Sequence, residues 1–174
     1  SSGQVTVDVP AAAGTNTLTF PAATGNIITN KTAGTIIQVV NFTTGASATG
    51  TTQMVGDDTI PQNDEGDEYM TLAVTPTNSS NKLIINVRAN VIHSGTAGSH
   101  YGALFQDSTA NALATAWAAK NAAAHNPTML VIDHYMTAGT TSETTFKFRS
   151  GISVSGTTTF NGVLGSRFFG GSFA

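Results

Sequence analysis

The sequence contains no cysteine, which excludes disulfides and thiolate metal sites. It also holds little charge. Asp, Glu, Lys and Arg make up 10% of its 174 residues, against about 25% in ordinary globular domains. Its seven basic residues form no stripe, so nucleic-acid binding has no electrostatic footprint. No apolar run approaches the ~20 residues of a membrane span, and membrane insertion is not expected. No charged region precedes an apolar core near the start, so no signal peptide is expected either. Ser1-Ser2-Gly3 reads as an expression scar or cleavage remnant.

What is present points to strands. Hydrophobic residues make up 40% of the chain, too many for a disordered one. Thr, Ser, Asn, Gly and Ala cover the surface in place of charge, and β-branched Thr favours a pleated surface over helix. Two-residue alternation recurs. In Lys82–His93, Leu83, Ile85, Val87, Ala89 and Val91 fall on one face, with Asn86, Arg88 and Asn90 on the other. In Tyr69–Thr75, Met70, Leu72 and Val74 point inward. In Thr144–Arg149, Phe146 and Phe148 do so, with Lys147 and Arg149 outward. Thr35–Phe42 and Pro127–Met136 are longer apolar runs, expected to be buried on two faces as a central strand or a subunit interface. Turn residues at Thr75-Pro76-Thr77-Asn78, Ser94-Gly95, Ala97-Gly98 and Ala138-Gly139 separate the runs. The pattern predicts an all-β fold: an antiparallel β-sandwich, jelly-roll-like, forming a homotrimer.

Thr109–Ala124 departs from this texture. Its alanines favour helix, but it has no amphipathic stripe, and a long loop or short helix inserted between two strands is expected. Residues 1–33 also differ. Val5, Val7 and Val9 alternate before Pro10, and Leu18 and Phe20 before Pro21. Such short strands cannot bury themselves, so they are expected to form a shaft or neck segment. The head domain is then residues 34–174. Ile84 and Ile92 sit on the polar face of their strand, and an interface between subunits is expected to bury both.

Several stretches together resemble the C-terminal head domain of bacteriophage tail-fibre proteins. They are IIQVVNFTTGA (Ile36–Ala46), DDTIPQNDEGDE (Asp57–Glu68), ALFQDSTANALA (Ala103–Ala114), HYMTAGTTSETTFKFR (His134–Arg149), TTTFNG (Thr157–Gly162) and SRFFGGSFA (Ser166–Ala174). Val5–Thr29, with its Phe20-Pro21-Ala22-Ala23-Thr24-Gly25 turn, resembles the strand-and-turn modules that precede such heads. The resemblance implies a homotrimeric fibre tip, assembled in the host bacterial cytoplasm and carried on the virion, that binds a bacterial surface receptor. Such heads usually end in a final strand, which is expected to be absent or incomplete after Ala174. The resemblance implies no individual binding residues.

The candidate sites follow from the residues. Trp117 is the only tryptophan. Aromatic rings stack on sugar faces, and flanking amides bond hydroxyls. Trp117 with Lys120, Asn121, His125 and Asn126 is therefore the expected receptor-binding set, within a contact loop over Thr109–Asn126 and with a polysaccharide as ligand. Core packing of Trp117 is the competing reading. Tyr101 and Tyr135 read as core or interface. The acidic run containing Asp64, Asp67 and Glu68 is the weak candidate for a hard cation, against a solvated loop leading into a strand. His93 and His134 gain metal chemistry only if a three-fold axis triplicates them. No cofactor is expected. Asp133 and His134 are adjacent, so on a strand they point to opposite faces. With no Gly-x-Ser-x-Gly elbow, a hydrolase is not expected. A virion protein with a purely structural role is the alternative to attachment.

Overall fold

The computed structural model describes residues 35–95, 98–119 and 125–171. The short strands expected before residue 34 lie outside them. The chain divides into two compact units, Ser1–Val39 and Val40–Ala174. In the first, residues 35–39 form neither strand nor helix, and Ile36 and Val39 are 78% and 80% exposed. In the second, Val40 and Phe42 are exposed and outside any strand. Within the single chain, Thr35–Phe42 therefore does not form the doubly buried central strand expected. Apolar β-branched residues make a strand only where a neighbouring ladder accepts them, and among the described residues no ladder holds these.

Alternation builds the rest of the second unit. Its strands are β1 (Ala48–Gly50), β2 (Asp67–Val74), β3 (Lys82–His93), β4 (Ser99–Gln106), β5 (Ala114–Ala119), β6 (Thr128–Thr137), β7 (Thr144–Ile152) and β8 (Thr158–Phe160). A small hairpin, β9 (Gly162–Val163) and β10 (Ser166–Arg167), follows. One antiparallel sheet has the order β1-β8-β3-β6 and the other β2-β7-β4-β5. Every link from β1 to β8 crosses between the two sheets except β4–β5.

The inward residues of both sheets meet in one core. Ala89, Val91, Leu130, Ile132 and Phe160 come from the first sheet, and Leu104, Phe146 and Phe148 from the second. The arrangement is all-β, antiparallel and compatible with a β-sandwich. The inward faces expected for β2, β3 and β7 are the ones found. No helix among the described residues is long and apolar enough to cross a membrane.

A second, smaller core lies on the outer side of the second sheet. Met54, Ala103 and Phe105 are fully buried there, with Tyr101 and Ala112 packed around them. The segment before β2 covers this face. Met54 donates its amide to the Ile152 carbonyl (3.3 Å), and Gly66 donates to Gln53 (2.9 Å). Central strand β4 is consequently buried on both sides along most of its length.

Three expectations change here. The described part of Thr109–Ala124, residues 109–119, is not simply a loop or helix inserted between strands, because it contains β5, antiparallel to β4 at the sheet edge. Helix propensity differs by only tenths of a kcal/mol between ordinary residues. The ladder on β4, with Ala114, Ala116 and Ala118 small enough to pack against the core, outweighs it. Pro127–Met136 forms most of β6, which within one chain is buried on one face only. Leu130 and Ile132 point in, while Met129, Val131 and Tyr135 are exposed. Ile92 needs no partner subunit, since it is 5% exposed within the single chain.

Candidate functional site

β5 presents Trp117 to solvent. Its residues alternate, so Thr115, Trp117 and Ala119 face outward, and Trp117 is 69% exposed. The core-plug reading of Trp117 is thereby excluded for the single chain. In the antiparallel register Trp117 stands opposite Tyr101 of β4, and such partners are nearest neighbours on one sheet face. Tyr101 is half-buried over the smaller core, and its hydroxyl reaches the backbone at Gly56. A Cβ at Gly56 would lie 2.2 Å from that oxygen, so a larger residue there would push the Tyr101 ring aside. The outcome is an exposed Trp117 beside a half-buried Tyr101 on adjacent strands.

Of the expected receptor set, His125 is anchored to the first sheet and not to the strand that carries Trp117. Lys120 and Asn121 lie outside the described residues. His125 and Asn126 are half-buried beyond them. His125 adopts a left-handed conformation (φ 60°) and donates its amide to the His93 carbonyl (3.3 Å). It lines a cleft of about 180 Å³ with Ile92, Ser94, Thr157, Thr159, Leu164 and Gly165. Ile92 and Thr159 are register partners on the outer side of the first sheet. Trp117 and His125 therefore serve different sheets.

The acidic loop is tied into the fold. Asp67 accepts from the Thr52 amide and hydroxyl, both at 2.9 Å. Glu65 accepts from the amides of Val55 (3.1 Å) and Gln62 (3.0 Å). Glu68 lies 3.8 Å from Lys147 and 4.0 Å from Arg149. The Arg149 guanidinium donates to the carbonyls of Glu65 and Gly66. Two hydrogen bonds from Thr59 hold the Asp57 carboxyl below its usual pKa. Asp64 is exposed. Among the described residues no three His, Asp or Glu side chains come together to hold a metal ion.

His93 is fully buried, and its Nδ1 accepts the Gly95 amide at 3.0 Å. His134 is half-buried on the inward-facing side of β6. Asp133 points the other way and accepts from Asn86 at 2.6 Å. This is the opposition that strand geometry dictates for adjacent residues. Of the two tyrosines read as core or interface, Tyr101 packs as described, whereas Tyr135 is 62% exposed and is not core in the single chain.

Sequence reasoning missed Tyr101 as the partner of Trp117, and missed the cleft formed by Ile92, Thr159 and Leu164. The one available signal for the cleft was Ile92, which with Ile84 is apolar on the mainly polar face of its strand. No protein-family model matches the chain, and comparison with curated proteins gives no match.

Proposed function

We propose that this chain is the attachment tip of a bacteriophage tail fibre. It forms a homotrimeric jelly roll, carried on the virion, that binds a bacterial surface polysaccharide without catalysis. The observation that carries the reading is the Trp117–Tyr101 pair. An isolated tryptophan exposed on a strand, rather than packed away, is costly to hydrate and suited to stacking on a ligand face.

The strand order supports the fold. Two four-stranded sheets ordered β1-β8-β3-β6 and β2-β7-β4-β5 correspond to the interleaved Greek keys of a jelly roll, an architecture used by viral capsid and lectin domains. That likeness of fold is an analogy, and the site bears the weight of the argument. Assembly is supported by the outer face of the first sheet. Ile84 and Tyr135 are register partners there, and Met129 and Val131 continue the exposed apolar surface. A second copy of the chain would bury these residues.

The test is binding of the fluorescently labelled chain to a panel of bacteria, with Trp117→Ala alongside. The exposed position predicts that the variant folds normally and that cell binding falls by about tenfold or more, as for an interface anchor. Unchanged binding would remove Trp117 from the site. Binding to no strain would favour the purely structural role.

A further inference from the structure

The cleft beside His125 combines two unusual features. Five described non-glycine residues have positive φ: Asp107, His125, Asn161, Leu164 and Phe169. Asp and Asn tolerate this conformation through local hydrogen bonds, and other side chains rarely enter it. Two of the remaining three, His125 and Leu164, line this one cleft. Leu164 and Gly165 have φ of 53° and 77° between the paired residues Val163 and Ser166. That is the backbone of a tight hairpin turn, whose first central position favours Asn, Asp or Gly. Leucine there is strained by about 1–2 kcal/mol. It also leaves an apolar side chain two-thirds exposed at the cleft rim. Strain that holds a particular side chain at a concave site is an observed outlier pointing toward function.

The lining specifies the ligand chemistry. It contains no Asp, Glu, Lys or Arg, so it offers no fixed charge to select an ion. It supplies three hydroxyls: Ser94, Thr157 and Thr159. The Ser94 oxygen already accepts the Thr157 amide (3.0 Å), and the Thr159 oxygen accepts the Gly165 amide (3.1 Å). Both hydroxyls are thereby oriented and keep their protons for donation. The His125 Nδ1 is shielded from solvent with no partner among the described residues. Ile92 and Leu164 add apolar contact. At about 180 Å³ the cleft is smaller than the ~300 Å³ or more that drug-sized ligands fill, so it takes one ring and not a chain.

The geometry points to a second glycan subsite at Ile92, His125, Thr159 and Leu164 that takes a single uncharged, hydroxyl-rich ring, a neutral pyranose. The assignment rests on the attachment reading for the source of its ligand. It adds a site on the sheet that does not carry Trp117. Thr159 and Ser94 donate to ring hydroxyls, His125 forms part of the cleft wall, and Leu164 contacts the C–H face.

The full chain, isotopically labelled, is titrated with glucose, galactose and mannose at tens of millimolar. N-acetylneuraminic acid and inorganic phosphate serve as charged controls. At least one neutral sugar is expected to shift the amides of Ser94, Thr157, Thr159 and Gly165 saturably, and the charged probes are not. Leu164→Gly is the decisive variant. Glycine prefers this backbone, so thermal stability holds or rises, while sugar affinity falls by about tenfold. His125→Ala is expected to weaken the same sugar. Absence of any shift with all three sugars, or full affinity in Leu164→Gly, overturns the subsite. If cells bind through Trp117 while no sugar enters the cleft, the subsite fails and attachment stands. If sugar enters the cleft while no cell binds, the attachment reading fails instead.

Discussion

Tyr69 packs against the main core, with its ring stacked on Phe160 at 5.2 Å and its hydroxyl donating to the Thr158 carbonyl at 3.4 Å. Burial disfavours the phenolate, and the nearby Asp67 carboxylate adds repulsion. Together they push the Tyr69 pKa well above its ordinary 10.0. The folded chain therefore keeps a proton that the unfolded chain releases. Stability from this group is complete below about pH 10 and is lost as pH rises beyond it, by at most about 1.4 kcal/mol per pH unit for one proton. Tyr69→Phe keeps the stacked ring and removes the titration. Urea midpoints compared from about pH 9 to about pH 11 should fall less steeply for the variant than for the parent. Parallel slopes would place the alkaline sensitivity elsewhere.

At the scale of elements, the segment ahead of β2 behaves as part of the second sheet. Met54 is 1% exposed against Ala103 and Phe105, and Asp67, Glu65 and Arg149 fasten the backbone on either side. Met54→Ala removes the centre of that contact. A loss of about 2–4 kcal/mol is expected, together with faster amide exchange along β4. A loss below about 0.5 kcal/mol would mean that the cover is a detachable flap.

These elements differ in how far the sequence discloses them. β2, β3 and β7 are legible because one face of each meets the core and the other meets water, so their alternation is written into residue type. β5 is not legible, because alanine serves equally in a helix and on a tight sheet face, and only the β4 ladder decides between them. Thr35–Phe42 misleads in the opposite sense, being apolar with no ladder to join among the described residues. At the candidate site, Trp117 stands out by its rarity. Its partner Tyr101 depends on strand register, which no local pattern encodes across the β4–β5 turn. The cleft joins Ile92, His125, Thr159 and Leu164 from four separate places through a three-pair β3–β8 ladder, and apart from the apolar Ile92 the sequence carries no trace of it.

For the whole molecule the open question is what the first sheet's outer face meets. Ile84 is 73% exposed opposite Tyr135, and Met129 and Val131 extend the surface along β6. Arg88 and Asp133 stand on the same face and offer a neighbouring copy one charge of each sign. In a trimer each weak sugar site acts at high effective concentration once its neighbour is bound. The substitution pair Ile84→Lys and Tyr135→Lys tests both statements together. Both positions are exposed in the single chain, so the fold should persist with an unchanged circular dichroism spectrum. Sedimentation of the proposed trimer should shift from three chains to one. Cell binding should fall by about a hundredfold, while the affinity of each chain for a free sugar stays the same. A variant that remains trimeric moves the interface to another face. A monomeric variant that binds cells as tightly as the parent would mean that avidity contributes nothing, and that one Trp117 site suffices for attachment.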